Sequence, residues 1–199
     1  MVYYNFATIP IKMAATETNM IPLGFKAPDF TLPDTISGQN LSLSNIKGNK
    51  ATVIMFICNH CPYVIHINPE ILKLVDEFTP QGINFIGISS NDVENYPQDS
   101  PELMKVHAEE FGYKFPYLYD ESQEVAKAYF AACTPDISVF DKDLLCVYRG
   151  RLDGSSPKNN VELTGDDLRA ALQAIVDNLP INPIQKPSIG CNIKWKKNK

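Results

Sequence analysis

Apolar residues change their spacing several times along the chain, and each change predicts a new element. Residues 51–57 are an almost continuous apolar run, which is typical of a strand buried on both faces. The next apolar residues, from Val64 to Phe78, fall at helical spacing. Pro62 suits the first turn of this predicted helix, and Pro69 is expected to kink it.

Shorter runs predict the remaining strands. Residues 83–88 repeat the continuous apolar pattern and predict a second buried strand. Residues 27–32 and 41–43 alternate between apolar and polar side chains on either side of a glycine-containing turn. Residues 136–140 and 144–149 flank a short charged turn. Both patterns are typical of hairpins.

Three further helices are expected. One begins at Ser100 and Pro101, and a shorter one covers residues 122–130. The last opens at Thr164, where Asp167 is placed to complete a capping box. The side chains predicted to form the buried faces are Leu103, Val106 and Phe111 in the first of these helices, and Leu168, Leu172, Ile175 and Leu179 in the last.

The order β-β-β-α-β-α-α-β-β-α predicts an α/β fold, in which a central mixed sheet is flanked by helices and preceded by a β-hairpin. A length of 199 residues fits one domain with extensions. We therefore expect an N-terminal extension over residues 1–20, one domain over residues 21–180 and a C-terminal tail over residues 181–199.

Composition narrows the function classes. The net charge of −5 argues against a general binder of nucleic acids or anionic membranes. There is no apolar run of about 18 residues to span a membrane, and the first residues lack the pattern of a secretory leader. The five cysteines are odd in number, unlike a secreted disulfide framework. We therefore expect a cytoplasmic protein with no nucleic-acid or membrane partner.

The predicted buried strand runs into Cys58-Asn59-His60-Cys61-Pro62, where the long helix begins. A helix N-terminus presents unpaired N–H groups and the positive end of the helix dipole, and both stabilise a thiolate. The second thiol, one turn away, can attack a mixed disulfide and release its partner. We expect Cys58 to be exposed, with a pKa below the free-thiol value of about 8.5, and Cys61 to lie inside the first turn.

Two simpler explanations of this motif stay open. Two buried cysteines can be neighbours by chance, and a Cys-x-x-Cys pair is half of a structural zinc site. A zinc site needs a second ligand pair, but the other cysteines are isolated from one another. The histidine pair with ligand-like spacing, His60 and His66, overlaps the motif itself. A redox dithiol is therefore the favoured interpretation.

These segments resemble the thioredoxin-fold superfamily, in the branch of alkyl hydroperoxide reductase and thiol-specific antioxidant (AhpC/TSA) proteins. Residues 24–30, the strand leading into the Cys-Asn-His-Cys-Pro motif, and Thr134-Pro135 ahead of a strand carry the resemblance. The ending, residues 188–195, resembles that of bacterial peroxiredoxin-like proteins within this branch. The resemblance covers about residues 21 to 196 and implies a thioredoxin-like three-layer sandwich.

The resemblance also implies roles for individual residues. Cys58 would be the nucleophile and Cys61 the resolving thiol. Pro135 would be a cis-proline facing the dithiol, and Thr134 would offer backbone groups to an extended substrate chain. His60 precedes the second cysteine, as a histidine does in oxidising disulfide isomerases. Pro62 directly follows the dithiol and would face the substrate with the others.

The chain departs from true peroxiredoxins in two respects. Neither Cys58 nor Cys61 follows the Pro-x-x-x-Thr/Ser-x-x residues that hydrogen-bond a peroxide. By alignment, Pro135 stands where peroxiredoxins carry their peroxide-activating arginine, although Arg149 or Arg151 stays open as a replacement. Thioredoxin's buried acid is missing too, so the sequence names no general base for the resolving thiol.

Three cysteines lie outside the pair. Cys146 is expected in the core, and so is Cys133, which stays open as an additional redox thiol because it is close to Pro135. Cys191, in the predicted tail, stays open as a third redox thiol that bridges to Cys58 or Cys61.

The favoured function is a thiol–disulfide oxidoreductase that works through a mixed disulfide. One alternative is a thiol-dependent peroxidase with Cys58 as the peroxidatic residue. Another is a copper or zinc protein with Cys58, Cys61 and a histidine as ligands. No cofactor and no resident metal are expected. The expected partners are protein or low-molecular-weight thiols and disulfides, and the oligomeric state is left open, with a homodimer among the options.

Overall fold

The computed structural model describes residues 15–197. The strands, numbered in chain order, are β1 (Ala15–Glu17), β2 (Thr31–Pro33), β3 (Asn40–Ser42), β4 (Ala51–Phe56), β5 (Ile83–Ser89), β6 (Tyr117–Tyr119), β7 (Cys133–Thr134), β8 (Asp136–Asp141), β9 (Cys146–Gly150) and β10 (Ile189–Asn192). The helices are α1 (Leu43–Ile46), α2 (Pro62–Phe78), α3 (Pro101–Phe111), α4 (Glu124–Ala128) and α5 (Asp166–Val176). Residues 79–81 and 97–99 form single 3-10 turns.

The central sheet is built around β4, in which every residue is buried, as the continuous apolar run predicted. β4 pairs in parallel with β5 and antiparallel with β8, and the five strands follow the order β6-β5-β4-β8-β9. The predicted N-terminal hairpin is confirmed as the pair β2–β3. The expected mixed sheet is therefore present, with β6 as an edge strand that the apolar pattern had not indicated.

Alternate side chains of β4 enter two separate apolar clusters, because successive residues of a strand point to opposite faces. Val53 and Met55 pack with buried residues of α2, α3 and α5. Ile54 and Phe56 pack with the hairpin, α1 and α4. The result is the predicted three-layer sandwich. Helix α2 begins at Pro62 and continues through Pro69 to its end, so that proline does not terminate it.

The predicted buried face of α3 is wrong. Leu103 and Val106 are each 45% exposed, and Phe111 is also exposed. Met104 and Ala108 are buried instead, four residues apart on the face that joins the core. Apolar residues occupy both sides of this helix, so spacing alone could not identify the side that packs.

The start of α5 also differs from the prediction. The helix begins at Asp166 after Gly165, which has a φ of +72°. The Asp153 carboxylate accepts the N–H groups of Thr164 and Gly165 at 2.8 and 2.7 Å, and this contact fixes the turn before the helix. Leu168 and Leu172 are buried as expected, but Leu179 lies beyond the helix and is exposed.

Both predicted terminal segments contribute to a second sheet, of order β1-β10-β7. β10 lies in the middle, with Cys191 opposite Ala15 on one side and opposite Thr134 on the other. Residues 181–199 are therefore not a free tail, because a strand within them is part of the fold. The described residues do not include residues 1–14 of the predicted N-terminal extension or residues 198–199 of the predicted C-terminal tail.

Among residues 15–197, no helix combines the length and the apolar composition needed to cross a membrane.

The close approach of β10 to β7 can be tested at Gly190, where a Cβ atom would overlap the carbonyl group of Thr134. We predict that Gly190→Ala lowers the free energy of unfolding by about 1–3 kcal/mol, the usual cost of overpacking. Urea denaturation measures this change. The matched control is Ile189→Ala on the same strand, where the side chain is exposed and the cost should stay within about 0.5 kcal/mol. Equal stability of Gly190→Ala and the wild type would contradict this packing.

Candidate active site

The Cys-x-x-Cys motif lies at the junction of β4 and α2, as the sequence predicted. Ile57 still donates its N–H to Ile88 of the neighbouring strand at 3.0 Å, and the chain then turns at Cys58. Cys61 occupies the N-cap position of α2, with Pro62 as the first helical residue. Pro62 has no N–H to leave unpaired, so it suits this position.

The Thr134–Pro135 peptide bond is cis, which confirms the expectation for Pro135. Thr134 contacts both sulfurs of the motif: its hydroxyl lies 3.5 Å from Cys58 Sγ, and its carbonyl oxygen lies 3.0 Å from Cys61 Sγ. The dithiol and the cis-proline segment are therefore in contact, although Cys61 and Thr134 are 73 residues apart along the chain.

The expected exposure of Cys58 is wrong, because its side chain is almost completely buried. Cys58 is 1% exposed and Cys61 is 0% exposed. Within the motif, the His60 ring stacks on that of Tyr96, which also contacts the C-terminal segment. Lys194 of that segment places its ammonium group 5.5 Å from the centre of the Tyr96 ring.

The backbone of Thr134 does not lie open for a substrate in this structure. β10 pairs antiparallel with β7, and Cys191 is the residue opposite Thr134. This pairing uses the strand edge that the resemblance had assigned to an extended substrate chain. Sequence reasoning missed it because nothing in the local pattern of residues 181–199 identifies the strand to which β10 pairs.

Cys191 lies directly against the dithiol. Its Sγ atom is 2.8 Å from Cys61 Sγ, and the residue is 2% exposed. The structure therefore brings three thiols together, of which the sequence motif shows two. All three are free thiols here.

The three sulfurs shift one another's pKa values. Hydrogen bonds from Cys191 and Cys58 hold the pKa of the Cys61 thiol well below its usual range. The hydrogen bond with Cys61, burial and the Asp99 carboxylate raise the pKa of Cys58. The hydrogen bond with Cys61 and burial also raise the pKa of Cys191. The cluster thus favours a thiolate at Cys61, and the expected low pKa of Cys58 is wrong because the hydrogen bond with Cys61, burial and the Asp99 carboxylate all raise it.

Asp99 is a site residue that the sequence did not single out. It is fully buried, accepts the N–H of Asn59 at 2.9 Å and the side-chain amide of Asn91 at 2.8 Å, and lies 2.7 Å from His60 Nδ1. The only local indication was that residues 91–95 follow a strand at the carboxyl edge of the sheet. Asp99 itself lies beyond that loop, and its burial depends on the tertiary fold.

Cys58, His60 and Asp99 also place one ligand atom each within 4.8 Å of the others. This group differs from the ligand set expected from sequence, because it contains Asp99 where Cys61 was expected. The Asp99 carboxylate already accepts two N–H groups, and Cys61 is directed to Thr134 and Cys191.

The remaining cysteines are buried, as expected. Burial raises the pKa of Cys133 to about 12 and that of Cys146 to about 11. Cys133 Sγ lies 3.6 Å from the Thr18 hydroxyl and 3.5 Å from the Pro135 carbonyl oxygen. Cys146 lies in the apolar cluster on the opposite face of the sheet from the motif.

Both candidate arginines are engaged away from the dithiol. Arg149 is fully buried and donates to Ser138 at 2.7 Å and to Asp136 at 3.1 Å. Arg151 pairs with Asp167 at 2.6 Å. The charged side chain that acts on Cys58 is the anionic Asp99, so the site differs electrostatically from one that activates peroxide with an arginine.

A cavity of about 320 Å³ opens beside the cis-proline. Its lining includes Tyr63 and His66 from the first turns of α2, Pro135, Arg151 and Ile189 of β10. Its size is at the lower end of pockets that take small molecules. The cavity therefore offers a binding space next to the motif that does not need the edge of β7.

Known proteins are similar to this chain over more than half of its length. Residues 23–149, more than half of the chain, match the model of the AhpC/TSA family. A Mycobacterium tuberculosis relative, provisionally named a peroxiredoxin, is 32% identical over 116 residues, which are 58% of this chain and 68% of the relative. The thiol-disulfide oxidoreductase ResA of Geobacillus kaustophilus is 28% identical over 128 residues, or 64% of this chain and 68% of ResA.

A solved structure is similar over almost the whole chain. An uncharacterized conserved protein of Geobacillus kaustophilus is 56% identical and superposes with a TM-score of 0.93, covering 95% of this chain and 100% of that chain. The match to the family model confirms the family that the motifs indicated, and superposition on the thioredoxin domain of a Bacteroides vulgatus thiol-disulfide oxidoreductase, with a TM-score of 0.62, confirms the thioredoxin-like fold. The chain belongs to the AhpC/TSA family.

Proposed function

We propose that the protein is a thiol–disulfide oxidoreductase in which Cys58 and Cys61 form the redox-active dithiol. The observation that carries the proposal is the meeting of this dithiol, at the N-terminus of α2, with the cis Thr134–Pro135 segment. The similarity to ResA supports the same activity. No cofactor is needed, because two thiols supply the two electrons that reduce a disulfide.

In the first step Cys58 attacks one sulfur of the substrate disulfide. The resting cluster holds its negative charge on Cys61, so Cys58 becomes the attacking thiolate only when its proton moves to Cys61. The Cys61 thiol then keeps this proton and donates a hydrogen bond to the Thr134 carbonyl oxygen, 3.0 Å away. The step forms a mixed disulfide at Cys58 and breaks the substrate S–S bond, and the first substrate thiolate leaves.

In the second step Cys61 resolves the mixed disulfide. Its proton goes to the departing substrate thiolate, and the Cys61 thiolate attacks Cys58 Sγ. The Cys58–Cys61 disulfide forms, and the second substrate sulfur leaves as a thiolate. The substrate disulfide has gained two electrons and the dithiol has lost two. The single proton ends on the first substrate sulfur, and the single negative charge ends on the second.

The pairing of β10 with Thr134 favours a low-molecular-weight disulfide, or a single exposed disulfide of a protein, over an extended polypeptide. We propose that such a substrate approaches the dithiol through the cavity that Tyr63 and Pro135 line. We propose that a second dithiol or glutathione returns the electrons. We place the reaction in the cytoplasm, since an odd number of cysteines suits a reducing compartment.

The AhpC/TSA similarity favours a second candidate, a thiol peroxidase with Cys58 as the peroxidatic residue. Its chemistry requires a thiolate stabilised beside a peroxide. Here neither candidate arginine is available to activate a peroxide, because Arg149 is paired with Asp136 and Arg151 is paired with Asp167. The site therefore supports disulfide exchange better.

With glutathione as electron donor, we predict that Cys58→Ser reduces turnover of hydroxyethyl disulfide to the level of the uncatalysed reaction. We predict that Cys61→Ser lowers turnover, because glutathione must then resolve the mixed disulfide in place of Cys61. Each variant removes one of the two sulfurs between which the electrons are shared. Cys146→Ala is the matched control and should keep wild-type turnover, because that thiol lies on the other face of the sheet. Full activity in Cys58→Ser would refute the proposed role. Rapid peroxide turnover by the wild type, with none on the disulfide, would favour the peroxidase.

We predict that Asp99→Asn lowers the pKa of Cys58. The negative charge of Asp99 raises this pKa, so its removal stabilises the thiolate and moves the midpoint of alkylation to lower pH. A shift of roughly 1 pH unit is the scale of a nearby like charge. Iodoacetamide labelling rates at Cys58, followed by mass spectrometry across a pH series, measure it. Asp143→Asn, at an exposed turn, is the control. An unchanged midpoint, or one displaced upwards, would contradict the assigned electrostatics.

A further inference from the structure

Cys191 has no role in the two-step exchange, yet its sulfur lies 2.8 Å from that of Cys61. The two residues are 130 positions apart along the chain, so this contact is made by the tertiary fold alone. A thiol that contacts one member of a dithiol is placed to attack the disulfide which that dithiol forms. The geometry therefore raises the question of whether Cys191 is part of the redox cycle.

The position of Cys191 is fixed on both sides. Within β10 the residue is paired with Ala15 and with Thr134, so its backbone is held between two neighbouring strands. Gly190, the preceding residue, packs so closely on the Thr134 carbonyl that a Cβ atom would not fit. Strand pairing and this close approach together hold the sulfur at the dithiol.

The segments that flank β10 are anchored as well. On the N-terminal side, the Ser188 hydroxyl donates to the Gly150 carbonyl oxygen at 2.9 Å. On the C-terminal side, Ile193 donates its N–H to Ala132 at 3.1 Å, and Lys194 donates its N–H to the Asn91 side chain at 2.8 Å. Because β10 is anchored at both ends, the Cys191 sulfur is held near Cys61 and can react with it without a large movement of the chain.

We propose that Cys191 is a third redox-active thiol, which exchanges with the Cys58–Cys61 disulfide to form a Cys61–Cys191 disulfide. This inference rests on the proposed function, since that reaction supplies the first disulfide. Cys191 loses its proton and its thiolate attacks Cys61 Sγ. The Cys61–Cys191 bond forms, the Cys58–Cys61 bond breaks, and Cys58 leaves as a thiolate that takes up the proton. The exchange is redox-neutral and needs no further oxidant.

The exchange has two consequences. It returns Cys58 to the thiol state, while Cys61 and Cys191 hold the one disulfide that the protein carries. It also ties β10 covalently to the start of α2, which keeps the strand edge of Thr134 closed in this oxidised state. In this state the disulfide that must be reduced joins Cys61 and Cys191, and the thiol that contacts the substrate, Cys58, is free.

Disulfide mapping of the oxidised protein tests the proposal. Full-length protein is treated with diamide, the remaining thiols are alkylated, and the linked peptides are identified by mass spectrometry. In the wild type we expect a Cys61–Cys191 link in addition to Cys58–Cys61. In Cys58→Ser we expect diamide to remove two thiols, Cys61 and Cys191, together. In the double variant Cys58→Ser/Cys191→Ser, Cys61 should stay alkylatable.

Cys58→Ser/Cys146→Ala is the matched control for the double variant, and it should still form the Cys61–Cys191 link. Full alkylation of Cys61 and Cys191 in oxidised Cys58→Ser, together with only a Cys58–Cys61 link in the wild type, would overturn the proposal. The wild-type map needs no variant, so a folding defect cannot obscure the result.

Turnover of hydroxyethyl disulfide by the wild type separates the two claims. Turnover without any Cys61–Cys191 link refutes the role of Cys191 alone and leaves the dithiol mechanism in place. A Cys61–Cys191 link without turnover supports the third thiol and refutes the proposed enzymatic function.

Discussion

The antiparallel pairing of β10 with β7 is the interaction on which the rest of the site depends. It places Cys191 opposite Thr134, and Thr134 in turn contacts both Cys58 and Cys61. Each hydrogen bond of such a pair contributes only about 0.5–1.5 kcal/mol net, but here the pair also decides which groups surround the dithiol. With β10 in place, the dithiol is buried, a third sulfur joins it, and the strand edge beside the cis-proline is closed to an extended chain.

Local patterns were enough to predict the frame of this site. The continuous apolar run predicted the buried strand β4, and the change to helical spacing after Pro62 predicted helix α2. The Cys58–Pro62 motif lies between the two. These features are visible in sequence because each depends on residues that are neighbours along the chain. The cis bond at Pro135 came from resemblance to a family, since spacing alone does not mark it.

The parts that sequence could not predict depend on residues far apart along the chain. β10 finds its partner about 57 positions earlier in sequence, by the pairing of Cys191 with Thr134. Asp99 is buried against Asn59 and His60 from another segment, and its charge adds to the hydrogen bond and burial that raise the pKa of Cys58. The buried side of α3 could not be chosen either, because packing against the core selects Met104 and Ala108 over the more apolar Leu103.

The geometry of the site supports one central claim, that Cys58 and Cys61 act as a reversible two-electron couple. Equilibration of the protein with glutathione buffers of graded potential, followed by alkylation and intact-mass measurement, tests this most directly. The account predicts one transition in which two of the five thiols disappear together, with the slope of a two-electron couple and three thiols left free. Loss of single thiols one at a time, or five alkylatable thiols at every potential, would contradict it.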